Sequence, residues 1–244
     1  MPEGFDLQAF LSVDSTNKEA MRQIEGGAGD GLWIVAEEQS GGRGRGGREW
    51  VSKVGNLYSS LICEIGKDIF GAAQLSFVSA LAVRDTVFEC LQHDNIKCKW
   101  PNDVLVEGKK ISGILLESCV GKEMNNNYII LGIGINITHH PEVALYDAVH
   151  INEQAEQEYC PADVFVILAQ KMAHWLKIWQ EKGFDPIRES WLSTAKGIGE
   201  QITVRLPTEQ LIGRFVDLDR DGALKLAIDN EIKLIHSGDV FFTS

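Results

Sequence analysis

The chain is short of positive charge, of long apolar runs and of paired cysteines. Lysine and arginine number 23 against 35 aspartates and glutamates, a formal net charge of −12 over 244 residues. A protein held to nucleic acid by phosphate contacts shows a basic face. The opening residues MPEGFDLQAF hold neither lysine nor arginine, so nucleic acid is not an expected partner. No stretch reaches the roughly 18 consecutive apolar residues of a membrane span, and the start lacks the charged-then-apolar pattern of a secretory leader. A cytoplasmic setting with no membrane association is therefore expected. The five cysteines (Cys63, Cys90, Cys98, Cys119 and Cys160) are odd in number and form no CxxC pair, which favours reduced packing thiols over a disulfide framework. Without a secretory route the sequon Asn136-Ile137-Thr138 carries no weight.

Several familiar cofactor motifs are also missing. No GxxxxGK[ST] occurs, which excludes an ordinary P-loop. Gly42, Gly44 and Gly47 satisfy GxGxxG, but the pyrophosphate must then meet a helix N-terminus, and GREWVSKVGN follows with no helical stripe. Asp217, Asp219, Asp221 and Gly222 mimic the opening of a calcium loop. Its twelfth position must be a bidentate glutamate, and Ile228 stands there. The histidines show no HExxH or related spacing, so no protein-only metal site and no structural zinc are expected.

What is present reads as an ordinary globular chain, 44% hydrophobic and 24% charged, long enough for one large domain or one domain with a small appendage. Asn17 to Ile24 reads as a short helix that Ser15 or Thr16 can cap, broken by Gly26, Gly27 and Gly29. Leu32 to Glu37 suits a buried strand, and Leu57, Leu61, Cys63 and Ile65 alternate as in a half-buried one. Phe77, Leu81, Phe88 and Leu91 sit at helical spacing. Val104–Val106 and Ile111–Leu116 flank Glu107-Gly108, a hairpin signal, and Ile129 to Ile137 is a further strand. Residues 138–160 are polar and irregular. Phe165, Leu168, Met172, Trp175 and Trp179 then form a helical core stripe that Gly183 ends. After Gly197 the texture changes to short strands, with a turn at Asp221-Gly222, which places a boundary near 194–198.

Two segments carry chemistry. Gly41 to Trp50 sets Arg43, Arg45 and Arg48 among glycines. Glycine lets backbone N–H groups approach an anion closely, arginine adds forked donors for phosphate or carboxylate, and Trp50 offers a flat face on which a purine can stack. Composition alone serves a solvated charged loop equally well. Residues 99–117, KWPNDVLVEGKKISGILLE, bring Lys109 and Lys110 back along a strand after the hairpin, where alternation lets only one of them point inward.

GGRGRGGREW, residues 99–117 and LGIGIN at 131–136, preceded by Ser15-Thr16-Asn17 and Glu38-Gln39, resemble the biotin–protein ligase family. The likeness spans the chain, since the strands ending in Gly238-Asp239-Val240 are similar to that family's C-terminal domain. It implies an α+β fold: a mixed β-sheet with flanking helices over residues 1–195, then a small SH3-like β-barrel over 196–244. It also implies two steps. Biotin's carboxylate attacks the α-phosphorus of ATP, accompanied by Mg²⁺, to give biotinyl-AMP and pyrophosphate; a lysine of a biotin carboxyl carrier domain then takes the acyl group.

Carried over by motif, Ser15, Thr16, Asn17 and Gln39 meet the ureido ring, with Gly113, Leu115, Gly132 and Gly134 around the bound acid. Arg43, Gly44, Arg45 and Lys110 contact biotin or its adenylate, with Lys110 between carboxylate and α-phosphate. Arg48, Trp50, Asn102 and Asn136 lie near the nucleotide, Trp50 covering the adenine. The incoming lysine must lose its proton, at about 4–5 kcal/mol at pH 7. Asp103 is the candidate to orient or deprotonate it, the other reading being a hairpin anchor. The cationic loop has little reason to order before ligand arrives, and closure then shields the anhydride from water.

The rival substrate is lipoate, whose ring lacks biotin's N–H donors and carbonyl. A site built for those groups rejects an analogue lacking them by about 10⁴–10⁵. A biotin-responsive repressor is the second alternative; the working pattern begins by residue 15, ahead of which no DNA-binding domain is expected. Some relatives place a basic residue behind the Gly-Asp-Val element, where this chain has Phe241, Phe242, Thr243 and Ser244, so the C-terminal strands receive no nucleotide role. Monomer and homodimer both stay open, because an edge strand used for docking or pairing reads the same.

Overall fold

The computed structural model describes residues 1–66, 71–121, 127–141 and 147–242. Its larger sheet has seven strands: β1 (Asp6–Val13), β2 (Leu32–Gln39), β3 (Leu57–Gly66), β4 (Ile96–Lys99), β5 (Asp103–Val106), β6 (Lys109–Val120) and β7 (Asn127–Ile135). They lie in the order β1-β2-β3-β7-β6-β5-β4. The β1/β2 pair is parallel and the others are antiparallel, so the sheet is mixed. Helices α1 (Thr16–Glu25), α2 (Gln74–Leu91), α3 (Ile151–Gln154), α4 (Pro161–Lys182) and α5 (Asp185–Thr194) cover it. A second, antiparallel sheet follows, ordered β11-β10-β9-β8-β12, from β8 (Gln201–Arg205), β9 (Gln210–Leu218), β10 (Leu224–Ile228), β11 (Glu231–Ile235) and β12 (Asp239–Phe242). Among the described residues no helix is long and apolar enough to cross a membrane.

Alternation along β7 assigns the two faces of the large sheet. Ile129, Leu131, Ile133 and Ile135 join the core under α2 and α4. Tyr128 and Ile130 pack instead with Ile62 and with Ala20 and Ile24 of α1. On that second face the next two positions are Gly132 and Gly134. Apolar side chains thus stop where the cover of the short helix α1 ends, and a bare strip of sheet follows.

Several expected elements differ in detail. Helix α2 begins three residues before Phe77 and is buried almost all round, with Leu75, Val78, Ala80, Leu81, Ala82, Val83 and Val87 inside; a helix buried all round shows no clean stripe. Strands β1 and β4 and helix α5 were not expected. β1 is an edge strand that leaves Leu7 and Leu11 exposed, so it lacks clean alternation. The stretch 138–160 is not wholly irregular: Ala148 bridges to Lys110, and α3 follows at once. Ser15 precedes α1 in extended conformation but makes no side-chain cap. The Thr16 N–H donates instead to Gln39 Oε1 at 2.8 Å. The free cysteines Cys63, Cys90 and Cys98 are buried, and burial pushes the Cys90 and Cys98 thiols up to about 12, which leaves them inert packing groups. Thr243 and Ser244 lie outside the described residues.

Candidate active site

A cavity of about 680 Å³ opens on the bare strip. Register builds its floor. Gly134 stands opposite Gly113 of β6 and Tyr58 of β3, and Gly132 stands opposite Leu115 and Ser60. Side chains are excluded there by contact: a methyl on Gly134 would fall 2.6 Å from the Trp50 indole, and one on Gly113 3.0 Å from the same ring. One on Gly132 would collide with Asn17.

One end of the floor is polar and closed by a hydrogen-bond chain. The Ser60 hydroxyl lies 2.6 Å from Asn17 Oδ1 and 2.7 Å from Thr16 Oγ1. Thr16 Oγ1 is 3.2 Å from Gln39 Oε1, and Gln39 Nε2 donates to Ser52 Oγ at 2.8 Å. Ser52 then donates to the Trp50 carbonyl at 2.7 Å. On the other side Asn17 Nδ2 donates to Glu117 Oε2 at 2.8 Å, and the Arg43 guanidinium reaches that same oxygen at 3.0 Å. Ser15, Thr16 and Asn17 are all buried here. Their side chains are committed to the cavity wall because Gln39, rather than a cap hydroxyl, satisfies the helix N-terminus.

The other end is cationic. Arg45, Arg48, Lys99 and Lys110 line it against the carboxylates Asp103 and Asp239. Four cations against two acids make a locally positive patch on a chain of net charge −12, the arrangement that concentrates a polyanion. Lys110 lines the cavity while its neighbour Lys109 is exposed. The Lys110 Nζ sits 2.6 Å from Asp103 Oδ1 and 5.5 Å from the Trp50 ring centroid. Asp103 Oδ1 is buried and receives no aligned hydrogen bond, so this contact is an ion pair held off the hydrogen-bonding direction. Lys99 is buried as well, and burial pushes its ammonium below the ordinary lysine range against the opposing pull of Asp103.

The arginine loop is more tethered than its composition suggests. Arg45 donates to Asn102 Oδ1 at 3.1 Å and to the Gly238 carbonyl at 3.4 Å, while Arg48 pairs with Asp239 at 3.0 Å. Asn102 in turn donates to the Ile114 carbonyl at 2.6 Å, so it acts as a post for Arg45. The Asn136 side chain donates to the Val149 carbonyl at 3.1 Å.

The structure thus gathers every residue singled out in the sequence around one cavity: Ser15, Thr16, Asn17, Gln39, Arg43, Gly44, Arg45, Arg48, Trp50, Asn102, Asp103, Lys110, Gly113, Leu115, Gly132, Gly134 and Asn136. Three kinds of residue were missed. Ser52, Ser60 and Glu117 join the polar chain from three different strands or loops, and no local pattern marks them. Lys99 opens the string Lys99-Trp100-Pro101-Asn102-Asp103 and was legible there, but no role was read for it. The C-terminal strands, given no part in the site, supply Asp239 and Val240 to its wall, because β12 runs past the arginine loop.

Residues 10–136 match the biotin/lipoate A/B protein ligase family, and residues 197–243 match the biotin protein ligase C-terminal domain. The biotin–[acetyl-CoA-carboxylase] ligase of Paracoccus denitrificans is 37% identical over 94% of this chain and 98% of its own. A biotin protein ligase from Aquifex aeolicus, solved in complex with biotin and ATP, superposes with a TM-score of 0.82 at 30% identity, over 97% of each chain. A Leishmania major biotin protein ligase solved with biotinyl-5-AMP gives 0.70 at 28% identity over the full length of both. The chain belongs to the biotin/lipoate A/B protein ligase family.

Proposed function

We propose that the protein is an ATP-dependent biotin–protein ligase whose cavity holds biotin at its polar end and ATP at its cationic end. The observation that carries this is the glycine floor itself: Gly113, Gly132 and Gly134 let the Trp50 indole and Asn17 lie directly on the sheet, between a hydrogen-bonding pocket and a cluster of arginine and lysine. Ser15, Thr16, Asn17 and Gln39 receive the ureido ring, and Gly113, Leu115, Gly132 and Gly134 underlie the bound acid. Arg43, Gly44, Arg45 and Lys110 hold the carboxylate and α-phosphate, while Arg48, Trp50, Asn102 and Asn136 serve the nucleotide.

In the first step a carboxylate oxygen bonds to the α-phosphorus and the bond to the β-phosphate oxygen breaks, releasing pyrophosphate. Negative charge grows on the phosphates, and Lys110, once it leaves Asp103, and Arg45 are the donors that meet it. Asp103 Oδ1, a buried carboxylate oxygen paired with Lys110, would be the protein oxygen to share Mg²⁺ carried on the triphosphate once Lys110 turns to the ligand; the ion would neutralise phosphate charge. In the second step a lysine amine of a biotin carboxyl carrier domain bonds to the acyl carbon, and AMP leaves. Asp103 orients that amine and accepts its proton. We further infer that residues 1–195 carry both steps as one domain, and that residues 196–244 form a C-terminal domain closing one wall.

The polar chain from Gln39 to Asn17 favours biotin over lipoate, which has no ring donors or carbonyl to answer it. Exchange of labelled pyrophosphate into ATP tests the reading. Exchange that depends on biotin and is not supported by lipoate is expected. Equal support by lipoate overturns the substrate, and no exchange with either acid overturns the ligase chemistry.

A further inference from the structure

Outside the cavity, two histidines and a glutamate converge that no local spacing announces. His140 follows β7, His150 precedes α3, and Glu153 lies on α3. The two Nδ1 atoms are 2.9 Å apart, and Glu153 Oε2 lies 3.6 Å from the first and 3.4 Å from the second. The sequence predicts no metal site, because ligands at positions 140, 150 and 153 match no familiar motif. The fold brings the three together by returning the chain beside itself after residue 147.

The dimensions are informative. A tetrahedral Zn²⁺ with nitrogen and oxygen ligands at about 2.0–2.2 Å has ligand atoms roughly 3.3–3.5 Å apart. The three separations here scatter about that edge, so one ion can reach all three atoms with small side-chain adjustments. Both imidazoles are half-buried and Glu153 is exposed, which leaves a fourth position for water on the solvent side. The backbone under the ligands is fixed in advance. Asn56 Oδ1 accepts the N–H groups of Ile137 and Thr138 at 2.8 and 3.0 Å, and Ile151 N donates to the Asn136 carbonyl at 3.1 Å. Two imidazoles and one carboxylate suit a borderline divalent cation better than a hard one.

We propose that His140, His150 and Glu153 form a binding site for one Zn²⁺ ion, which staples the segment after β7 to the start of α3. The staple has a consequence for the cavity. Lys110 N donates to the Asp147 carbonyl and Val149 N to the Lys110 carbonyl, at 2.8 and 3.0 Å, and Asn136 holds the Val149 carbonyl. The ion therefore ties down the short stretch that braces Lys110 and Asn136 from behind, as a structural ion rather than a participant in chemistry. Without a cation the same atoms form a hydrogen-bonded His–His–Glu trio, in which the two Nδ1 atoms share one proton; that arrangement takes up no metal.

Metal titration of the chelator-treated full chain separates the two. Co²⁺ serves as the optical probe and Zn²⁺ as its competitor, with His150→Ala and Glu153→Gln as variants and the exposed His174→Ala as control. The site predicts one equivalent of Co²⁺ with tetrahedral visible absorption, displaced by Zn²⁺. Binding weakens at least tenfold in His150→Ala and in Glu153→Gln and is unchanged in His174→Ala. At a hundredfold excess over Kd, Zn²⁺ raises the unfolding midpoint of the parent chain by roughly 5–10 °C. Glu153→Gln is a surface change that keeps the test valid should the histidine variant fold poorly. No uptake at micromolar metal, an octahedral spectrum, or binding undiminished in either variant overturns the proposal.

Discussion

Replacing Gly134 with alanine adds a single methyl group at the centre of the site. Its carbon would stand 2.6 Å from the Trp50 Cε2 and Nε1 atoms, against a comfortable carbon contact of about 3.5–4.0 Å. Something must therefore move by about 1 Å. Gly134 cannot, because β7 is held in register by Tyr58 on one side and Gly113 on the other. Trp50 can: it lies on a loop, partly exposed, held to the Gly42 carbonyl at 3.0 Å through its backbone N–H. Overpacking a rigid core costs about 1–3 kcal/mol, and a yielding loop puts this change near the low end. One kcal/mol moves the unfolding midpoint of a chain this size by only about 2–4 °C. The effect on ligand is larger, since an indole displaced by about 1 Å no longer fits the nucleotide; a misplacement of that size costs up to about 100-fold in rate. Pyrophosphate exchange should fall about 10–100-fold while calorimetry shows a folded protein with a small midpoint shift. Exchange within twofold of the parent chain would refute the idea that Trp50 and the glycine floor clasp the ligand together.

Arg45→Gly removes the contacts to Asn102 and Gly238, and bystander proteins should then be labelled several-fold faster as biotinyl-AMP escapes; labelling no faster than with the parent chain rules out loop retention. Asp103→Asn should slow carrier transfer from pre-made biotinyl-AMP about tenfold or more, and a transfer rate that is spared assigns Asp103 to the hairpin alone. Hydrogen bonds from the Arg22 guanidinium, and then from the Ser15 N–H, hold the Asp14 carboxyl at about 2 instead of 3.8. A depressed carboxylate stabilises the fold above its ordinary value and loses that contribution as pH falls from 3.8 towards 2. Asp14→Asn should cost less than about 1 kcal/mol at neutral pH, because the pair is partly exposed. Urea unfolding should show that difference shrinking below pH 4, and a constant difference at every pH contradicts the assignment.

Much of the site was legible because its residues sit in short contiguous strings: Arg43 to Trp50 advertise an anion loop, and Lys99 to Lys110 a hairpin with an inward lysine. The purpose of Gly132 and Gly134 was not legible, since it depends on which strands flank β7 and on where α1 stops. Glu117, Ser60 and Ser52 reach the polar chain only through sheet register. Asp239 enters the wall because the second sheet docks through Trp100 Nε1 on the Gly222 carbonyl at 3.1 Å and through the Trp191 ring against Phe215, contacts that join distant parts of the chain. β1 and α5 escaped for a simpler reason: an edge strand with exposed leucines and a short helix after a glycine stop carry little periodicity. The convergence of His140, His150 and Glu153 likewise requires knowing that the chain returns beside Lys110.

The proposed chemistry requires Lys110 to leave Asp103 and grip the acyl-phosphate while the arginine loop closes over it. A crystal structure with a non-hydrolysable acyl-sulfamate analogue of biotinyl-AMP addresses this directly. That chemistry places Lys110 Nζ within about 3 Å of the linkage oxygens, with Arg45 over the ligand and Trp50 against the adenine. An analogue bound elsewhere, or bound here with Lys110 turned to bulk water, contradicts it.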